Sequence, residues 1–370
     1  MISVEEALQK VLNTVQDFGT EEIPLMQSVG RVLKEDIKAD RDFPPFNRVA
    51  MDGIAIDFQQ FQNGRRIFKT TGIQAAGSKR KTLTNPENCV EIMTGAVLTK
   101  NTNAVIPYEQ VIIENGIAFV QAEEVKENQN IHHKGKDNRK GTVLIPKNTT
   151  ISAAEIGVLA TVGKTKVLVA KQPSVMIIST GDELVEINKE PLAYQIRKSN
   201  VYSLVSLLNN LRIEAETDHI PDDKPKLKRK IKQYLKDYDV LLFSGAVSKG
   251  KYDFLPEVLE ELKVEKLFHK VLQRPGKPFW FGRKAPFDMS EQGAYQGKKT
   301  VTKNKSLSED EMNQCTVFAF PGNPISTYVN CLAYFYPWYY KSVGISQQET
   351  TAKLGEEVIF KPDMTYFLQV

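Results

Sequence analysis

The chain has 370 residues, which at ~150 residues per domain points to two or three domains. Hydrophobic residues make up 41% and charged residues 25%, excluding a collagen-like or wholly disordered chain and allowing a sizeable core. The 49 Lys and Arg exceed the 45 Asp and Glu by only 4, a weak argument for nucleic acid or a membrane surface, although cations gathered in one cleft could still meet a small anion. Cys89, Cys315 and Cys331 are odd in number and widely spaced, without a CxxC pair. They support neither a disulfide framework nor a zinc knuckle, and fit a reducing compartment. Acids stand at Glu5 and Glu6 where a signal peptide carries Lys or Arg, and no apolar run approaches the ~18 residues of a membrane span. A soluble cytoplasmic protein is expected.

In chain order, the spacing predicts an amphipathic helix over 3–18, with Ser3 as its cap and Glu6 three positions later. From 54 to 145 short β-like runs alternate with Gly and Asn turns and the helical signal nearly vanishes, so a separate β-rich domain is expected. A helix-period run over 152–160 ends at Gly163. Beyond Pro173 three apolar runs, 174–179, 239–243 and 316–320, each end in a small-residue loop, with helix-like stretches near 200–210, 224–236, 254–262 and 324–338. Such alternation describes a mostly parallel sheet covered on both faces, whose ligands sit beyond the carboxyl ends of the strands. The basic run 224–232 reads as a solvated helix face, and the Gly-, Lys-, Ser- and Gln-rich segment 285–314 as a mobile surface insertion.

The loop Ser244-Gly245-Ala246-Val247-Ser248-Lys249-Gly250-Lys251-Tyr252-Asp253 follows one of these strands and precedes a helix. Its glycines let backbone N–H groups approach an anion, while its serines add hydroxyl donors and its lysines add charge. The spacing is neither a P-loop nor a dinucleotide fingerprint, so phosphate binding of another kind is favoured. Asp253 reads as an N-cap or a metal ligand. Arg274-Pro275-Gly276-Lys277-Pro278 sets two cations on a stiff frame suited to a tetrahedral anion. Pro321-Gly322-Asn323-Pro324-Ile325-Ser326 opens a helix and Thr180-Gly181-Asp182-Glu183 places acids beyond a buried strand, where Mg2+ with phosphate, a ribose or a pterin could meet them. Asp52 and Asp137, taken alone, are ordinary turn acids, and His132, His133, His219 and His269 read as solvated.

Taken together, these segments resemble the MoeA family of molybdopterin molybdenumtransferases, which includes the gephyrin E domain. The resemblance runs in order through Phe43-Pro44-Pro45-Phe46, Ala50-Met51-Asp52-Gly53, Ile92-Met93-Thr94-Gly95-Ala96, Gly135-Lys136-Asp137, Ala154-Glu155-Ile156-Gly157 and Ser179-Thr180-Gly181-Asp182-Glu183-Leu184. It continues through Gln195-Ile196-Arg197-Lys198-Ser199-Asn200, the 244–253 loop, Pro275-Gly276-Lys277-Pro278 and Pro321-Gly322-Asn323-Pro324-Ile325-Ser326. It implies a multidomain α/β fold: a discontinuous N-terminal domain at 1–45 and 139–170, a β-rich domain at 46–138, a three-layer molybdopterin-binding α/β domain at 171–345 and the start of a small C-terminal β domain at 346–370. It also implies insertion of molybdate into adenylylated molybdopterin with release of AMP, dependent on Mg2+, in a homodimer working beside other cofactor-biosynthesis enzymes. By the same resemblance Asp52, Thr94, Asp137, Glu183 and Asp253 are catalytic, with Glu183 and Asp253 also metal-binding. Ser244, Ser248, Arg274, Lys277 and Pro278 would hold molybdate. Thr180, Gly181, Asp182, Asn200, Gly245, Gly250, Pro321, Gly322, Asn323 and Ser326 would line the pterin-nucleotide pocket. The chain departs from the family pattern at Arg274, where Lys is usual, at Ala246, where a second Gly is usual, and at Lys251 and Met364. Two other readings compete: a molybdopterin adenylyltransferase, and a non-catalytic gephyrin-like scaffold.

Overall fold

The computed structural model describes residues 1–245, 247, 253–284, 314–346, 351–353, 355–359 and 363–368. Ser248, Lys249, Gly250 and Lys251, and the expected insertion up to residue 313, therefore lie outside the described residues. The chain divides into two compact units, one of 1–35, 147–156 and 165–370, the other of 36–146 and 157–164.

The first unit is built on a six-stranded sheet in the order Glu216–Ile220, Val175–Thr180, Val240–Ser244, Cys315–Phe320, Trp280–Lys284, Glu265–His269. The first four strands run parallel, and Trp280–Lys284 pairs antiparallel with both of its neighbours. The continuous apolar runs form the centre because both faces of the sheet are covered, so every position meets a core. Side chains alternate between the two: Val175, Ile177, Val240, Leu242, Phe318 and Phe320 enter one core, and Met176, Ile178, Leu241, Phe243, Val317 and Ala319 the other. Helix Ser199–Asn210 covers the first face with Leu204, Leu207 and Leu208. Helix Lys224–Asp237 covers the second with Leu227, Ile231 and Leu235, one turn apart. Its basic face is partly neutralised by the neighbouring helix Leu255–Glu261: Lys224 meets Glu257 at 2.6 Å and Glu261 at 2.8 Å.

Two helices differ from their sequence expectation. The first spans only Val4–Leu12; Ser3 Oγ accepts from Glu6 N–H at 3.1 Å as expected, but the Thr14 hydroxyl donates to the Val11 carbonyl at 2.8 Å and turns the chain away. The last runs as Pro324–Asn330, then a π turn Cys331–Phe335, then Tyr336–Ser342. Pro337 has no N–H to continue the ladder, and the widened turn, in which Tyr336 N–H reaches back to the Cys331 carbonyl, accommodates it. Helix Ala153–Thr161 forms where its period predicts.

The second unit holds a six-stranded mixed sheet in the order Ala104–Pro107, Gly53–Ile56, Asn88–Ile92, Ile67–Gln74, Ile117–Val120, Val111–Glu114. Ile54, Ile56, Phe68, Cys89 and Ile106 fill its core. A Cβ at Gly53 would overlap the Ile106 carbonyl, so only glycine fits after Asp52. One short helix, Phe58–Gln62, capped by Asp57, escaped the periodicity because five residues are too few to display it. Among the described residues no helix is long and apolar enough to cross a membrane.

Candidate functional site

In the first unit the loops beyond the parallel strands enclose a cleft of about 240 Å3. The sheet register brings them there: Ser179 pairs with Ser244, and Ser244 with Phe320, so the three strand ends stand side by side. Gly245 N–H donates to the Phe320 carbonyl at 3.0 Å, and its φ of +108° turns the chain through a conformation that favours glycine. A Cβ there would stand 3.4 Å from the Thr180 hydroxyl, an ordinary contact, so the backbone conformation rather than lack of space calls for glycine.

Of the expected site residues, the cleft gathers Thr180, Gly181, Glu183, Asn200, Ser244, Gly245, Asp253 and Gly322. Asn200 Nδ2 donates to the Gly322 carbonyl at 2.8 Å, while its buried Oδ1 accepts from no described group and can receive an amine of a ligand. Asp182 turns instead to the Asp222 backbone, accepting its N–H at 3.2 Å. Pro321, Asn323 and Ser326 act below the cleft rather than in its wall. The Pro321 carbonyl accepts from Thr327 Oγ1 at 2.6 Å, and Asn323 caps the helix through Ser326 N–H at 3.1 Å. Arg274, Lys277 and Pro278 do not line this cleft, and both cations are exposed.

Two residues of the cleft wall went unnoticed in the sequence. Asp222 lines it, and burial, reinforced by the negative charge of Asp182, Glu183 and Asp253, pushes its carboxyl above the ordinary range. The available signal was Pro221-Asp222 directly after the strand Glu216–Ile220, the same position acids take after Thr180. Lys198, ion-paired with Glu186, supplies a cation to the wall. His219, expected to be solvated, is half-buried with Nδ1 3.0 Å from Ser179 Oγ, and burial lowers its pKa. His132 and His269 likewise have partners, Asp137 Oδ1 at 2.7 Å and the Val247 carbonyl at 3.1 Å, because strand pairing carries each into a packed surface.

In the second unit Asp52 Oδ1 accepts both the backbone N–H of Thr94 at 2.6 Å and its hydroxyl at 2.7 Å, which holds the Asp52 carboxyl below the usual range. Two donors on one oxygen fix an exposed carboxylate in place and in charge. Asp137 stands with His132, and Tyr108 donates to Glu91 at 3.0 Å. The turn acids Asp52 and Asp137 are thus each held by a specific partner.

Hard oxygen donors dominate the cleft of the first unit. Glu183, Asp222 and Asp253 share it, and the raised Asp222 carboxyl marks a charge that a divalent cation would relieve. Among the described residues no three His, Cys, Asp or Glu side chains are gathered closely enough to hold a metal alone. That donor set fits Mg2+, which takes one or two carboxylates and completes its shell with water and substrate phosphate.

Residues 2–163 match the family model described as the MoeA N-terminal region (domain I and II), and residues 176–338 match that of a probable molybdopterin binding domain. Over its whole length the chain is 38% identical to a molybdopterin molybdenumtransferase of Synechocystis, covering 86% of that protein. A Staphylococcus epidermidis protein of the same name is 34% identical over 74% of this chain and 67% of its own length. Among solved structures, a molybdopterin biosynthesis MoeA protein of Pyrococcus horikoshii superposes with a TM-score of 0.72 at 29% identity, over 93% of this chain and 80% of that one. With both halves of the chain matched in order and the α/β cleft formed where the family motifs fall, the chain belongs to the MoeA family of molybdopterin molybdenumtransferases.

Proposed function

We propose that this chain completes the metal-insertion step of molybdenum cofactor biosynthesis, taking molybdate and adenylylated molybdopterin and releasing AMP. The observation that carries the reading is the cleft at the strand ends, where the Thr180 and Ser244 hydroxyls, the Asn200 amide and three carboxylates face one space. Such a set suits a phosphorylated, amine-rich ligand better than an apolar one. The names of the relatives favour molybdenum transfer over adenylyl transfer or a scaffold.

In this reading Thr180, Gly181, Asn200, Gly245 and Gly322 receive the pterin nucleotide. Asp182, Pro321, Asn323 and Ser326 hold the walls. Asp52, Thr94 and Asp137 serve as catalytic residues. Arg274, Lys277, Pro278 and a serine of the 244–248 loop bind molybdate, whose double negative charge calls for fixed cations. Glu183 and Asp253, with Asp222 beside them, would hold Mg2+, which supplies charge neutralisation at the phosphates. The chain acts as a homodimer in the cytoplasm, alongside enzymes that make its pterin substrate and take its product.

The reading is tested by supplying three mixtures: adenylylated molybdopterin with Mg2+, the same with molybdate, and molybdopterin with Mg-ATP. AMP release only in the second is expected. Turnover of Mg-ATP in the third would favour the adenylyltransferase, and no turnover in any would favour a scaffold.

A further inference from the structure

Beneath Arg274-Pro275-Gly276-Lys277 lies a polar network that the proposed reaction does not use. Gln273, Asn330 and Tyr334 are all buried, with 1%, 0% and 0% of their surfaces exposed. The Tyr334 hydroxyl donates to Gln273 Oε1. Gln273 Nε2 donates to Asn330 Oδ1 at 2.7 Å and to the Pro275 carbonyl at 2.9 Å. Asn330 Nδ2 donates to the Gly276 carbonyl at 3.2 Å. The Lys277 carbonyl is engaged as well, accepting from Val271 N–H and Phe279 N–H, each at 3.0 Å. Every amide oxygen and nitrogen of Gln273 and Asn330 is therefore partnered, in a region where an unpaired one is costly.

The consequence falls on the other edge of the same peptides. In a trans peptide the carbonyl and the N–H point in opposite directions. With the Pro275 and Gly276 carbonyls drawn down onto Gln273 and Asn330, the N–H groups of Gly276 and Lys277 face away from the network. Among the described residues neither donates a hydrogen bond, although Gly276 is itself buried. Successive unsatisfied N–H groups make an anion-binding concavity, and here they sit between two exposed cations, Arg274 and Lys277. Gly276 has φ +91°, and a Cβ there would stand 2.5 Å from Asn330 Oδ1 and 2.7 Å from Gln273 Nε2, so the network also occupies the space a side chain would need.

We propose that Gln273, Asn330 and Tyr334 are positioning residues for molybdate, holding the turn so that the Gly276 and Lys277 N–H groups and the Arg274 and Lys277 side chains converge on the oxyanion. The proposal rests on the reading that this turn binds molybdate. Asn330 and Tyr334 come from the last long helix, Asn330 just before its π turn and Tyr334 within it. The turn's geometry is thus set by an element other than its own strand, which local sequence spacing does not display.

The test compares Gln273→Met, which keeps the side-chain volume and loses its donor and acceptor, with Tyr334→Phe, which removes only the outermost bond. Val11→Ala, a truncation elsewhere in the same unit's core, serves as a stability control, and Lys277→Ala probes the turn itself. Molybdate-dependent AMP release is measured against molybdate and against the adenylate, with Tm for each variant. For Gln273→Met the expected result is a molybdate KM at least tenfold higher, the adenylate KM unchanged, and kcat at saturating molybdate within twofold. Tyr334→Phe should fall between this variant and wild type, and Val11→Ala should lower Tm without moving the molybdate KM. An unchanged molybdate KM in Gln273→Met and Tyr334→Phe, with Lys277→Ala impaired, overturns the positioning role and leaves the reaction standing. A fall in kcat with both KM values rising together in step with the loss of Tm, in place of a selective molybdate effect, also overturns it. An unimpaired Lys277→Ala removes the turn from the site and overturns both.

Discussion

Asp52 and Asp222 are carboxyls held in opposite electrostatic settings, and each makes a prediction. Two donors from Thr94 lower the Asp52 pKa, so its charge is secure at neutral pH. Thr94→Val removes one donor, and the Asp52 pKa measured by NMR titration should rise towards its ordinary value; no movement would disconnect the pair. Under the proposed function, Asp52→Asn should lower kcat about 100-fold. Asp222 is the reverse case, raised by burial and by neighbouring acids. The folded chain holds that proton at pH values where the unfolded chain has already released it, so stability falls as pH rises through that window and the penalty persists at neutral pH. Asp222→Asn should therefore raise Tm at pH 7, with a gain that shrinks on acidification, and added Mg2+ should raise the Tm of the wild type more than that of the variant. A Tm at pH 7 that does not rise would show that Asp222 carries no such penalty. Neither environment was legible locally: Asp52 meets Thr94 across 42 positions, and Asp222 meets three acids from two other loops.

At the scale of elements, the buried parallel strands were the most readable parts of the chain, because a strand covered on both faces must be apolar throughout. The antiparallel strands Glu265–His269 and Trp280–Lys284 were not. Glu265 and Lys266 stand on the outermost strand, and Arg283 and Lys284 end its neighbour, so the apolar signal is diluted. Caps were partly legible. Ser3 was recognised, whereas Ser152 was missed although it forms a reciprocal box: its hydroxyl accepts from Ala154 N–H at 3.1 Å, and Glu155 accepts from Ser152 N–H at 2.8 Å. Ser152→Ala should cost about 1 kcal/mol of stability in urea unfolding, and a loss below about 0.3 kcal/mol would contradict the cap. The last helix was expected to end at 338, whereas a π turn over Cys331–Phe335 accommodates Pro337 and the helix continues to Ser342.

For the whole molecule, a net charge of +4 on 370 residues leaves room for the proposed anion chemistry, which needs only local cations: Lys198 stands in the cleft wall, and Arg274 and Lys277 are exposed. The collinear motifs made the family legible, and the α/β unit places eight of the expected site residues around one cleft. What they could not convey is the depth behind the site: Gln273, Asn330 and Tyr334 carry no motif, and their role depends on burial and on contacts 54 to 61 positions apart. The dimer expected of the family predicts a sedimentation mass of twice the chain mass, unchanged in Lys277→Ala; a monomeric wild type would contradict it. The central claim is coupled transfer of molybdenum and release of AMP, so the decisive measurement is the molybdenum bound to the pterin product per AMP released as molybdate is titrated. The account predicts one molybdenum per AMP and no AMP without molybdate. AMP released without molybdate, or without molybdenum appearing in the product, would contradict it.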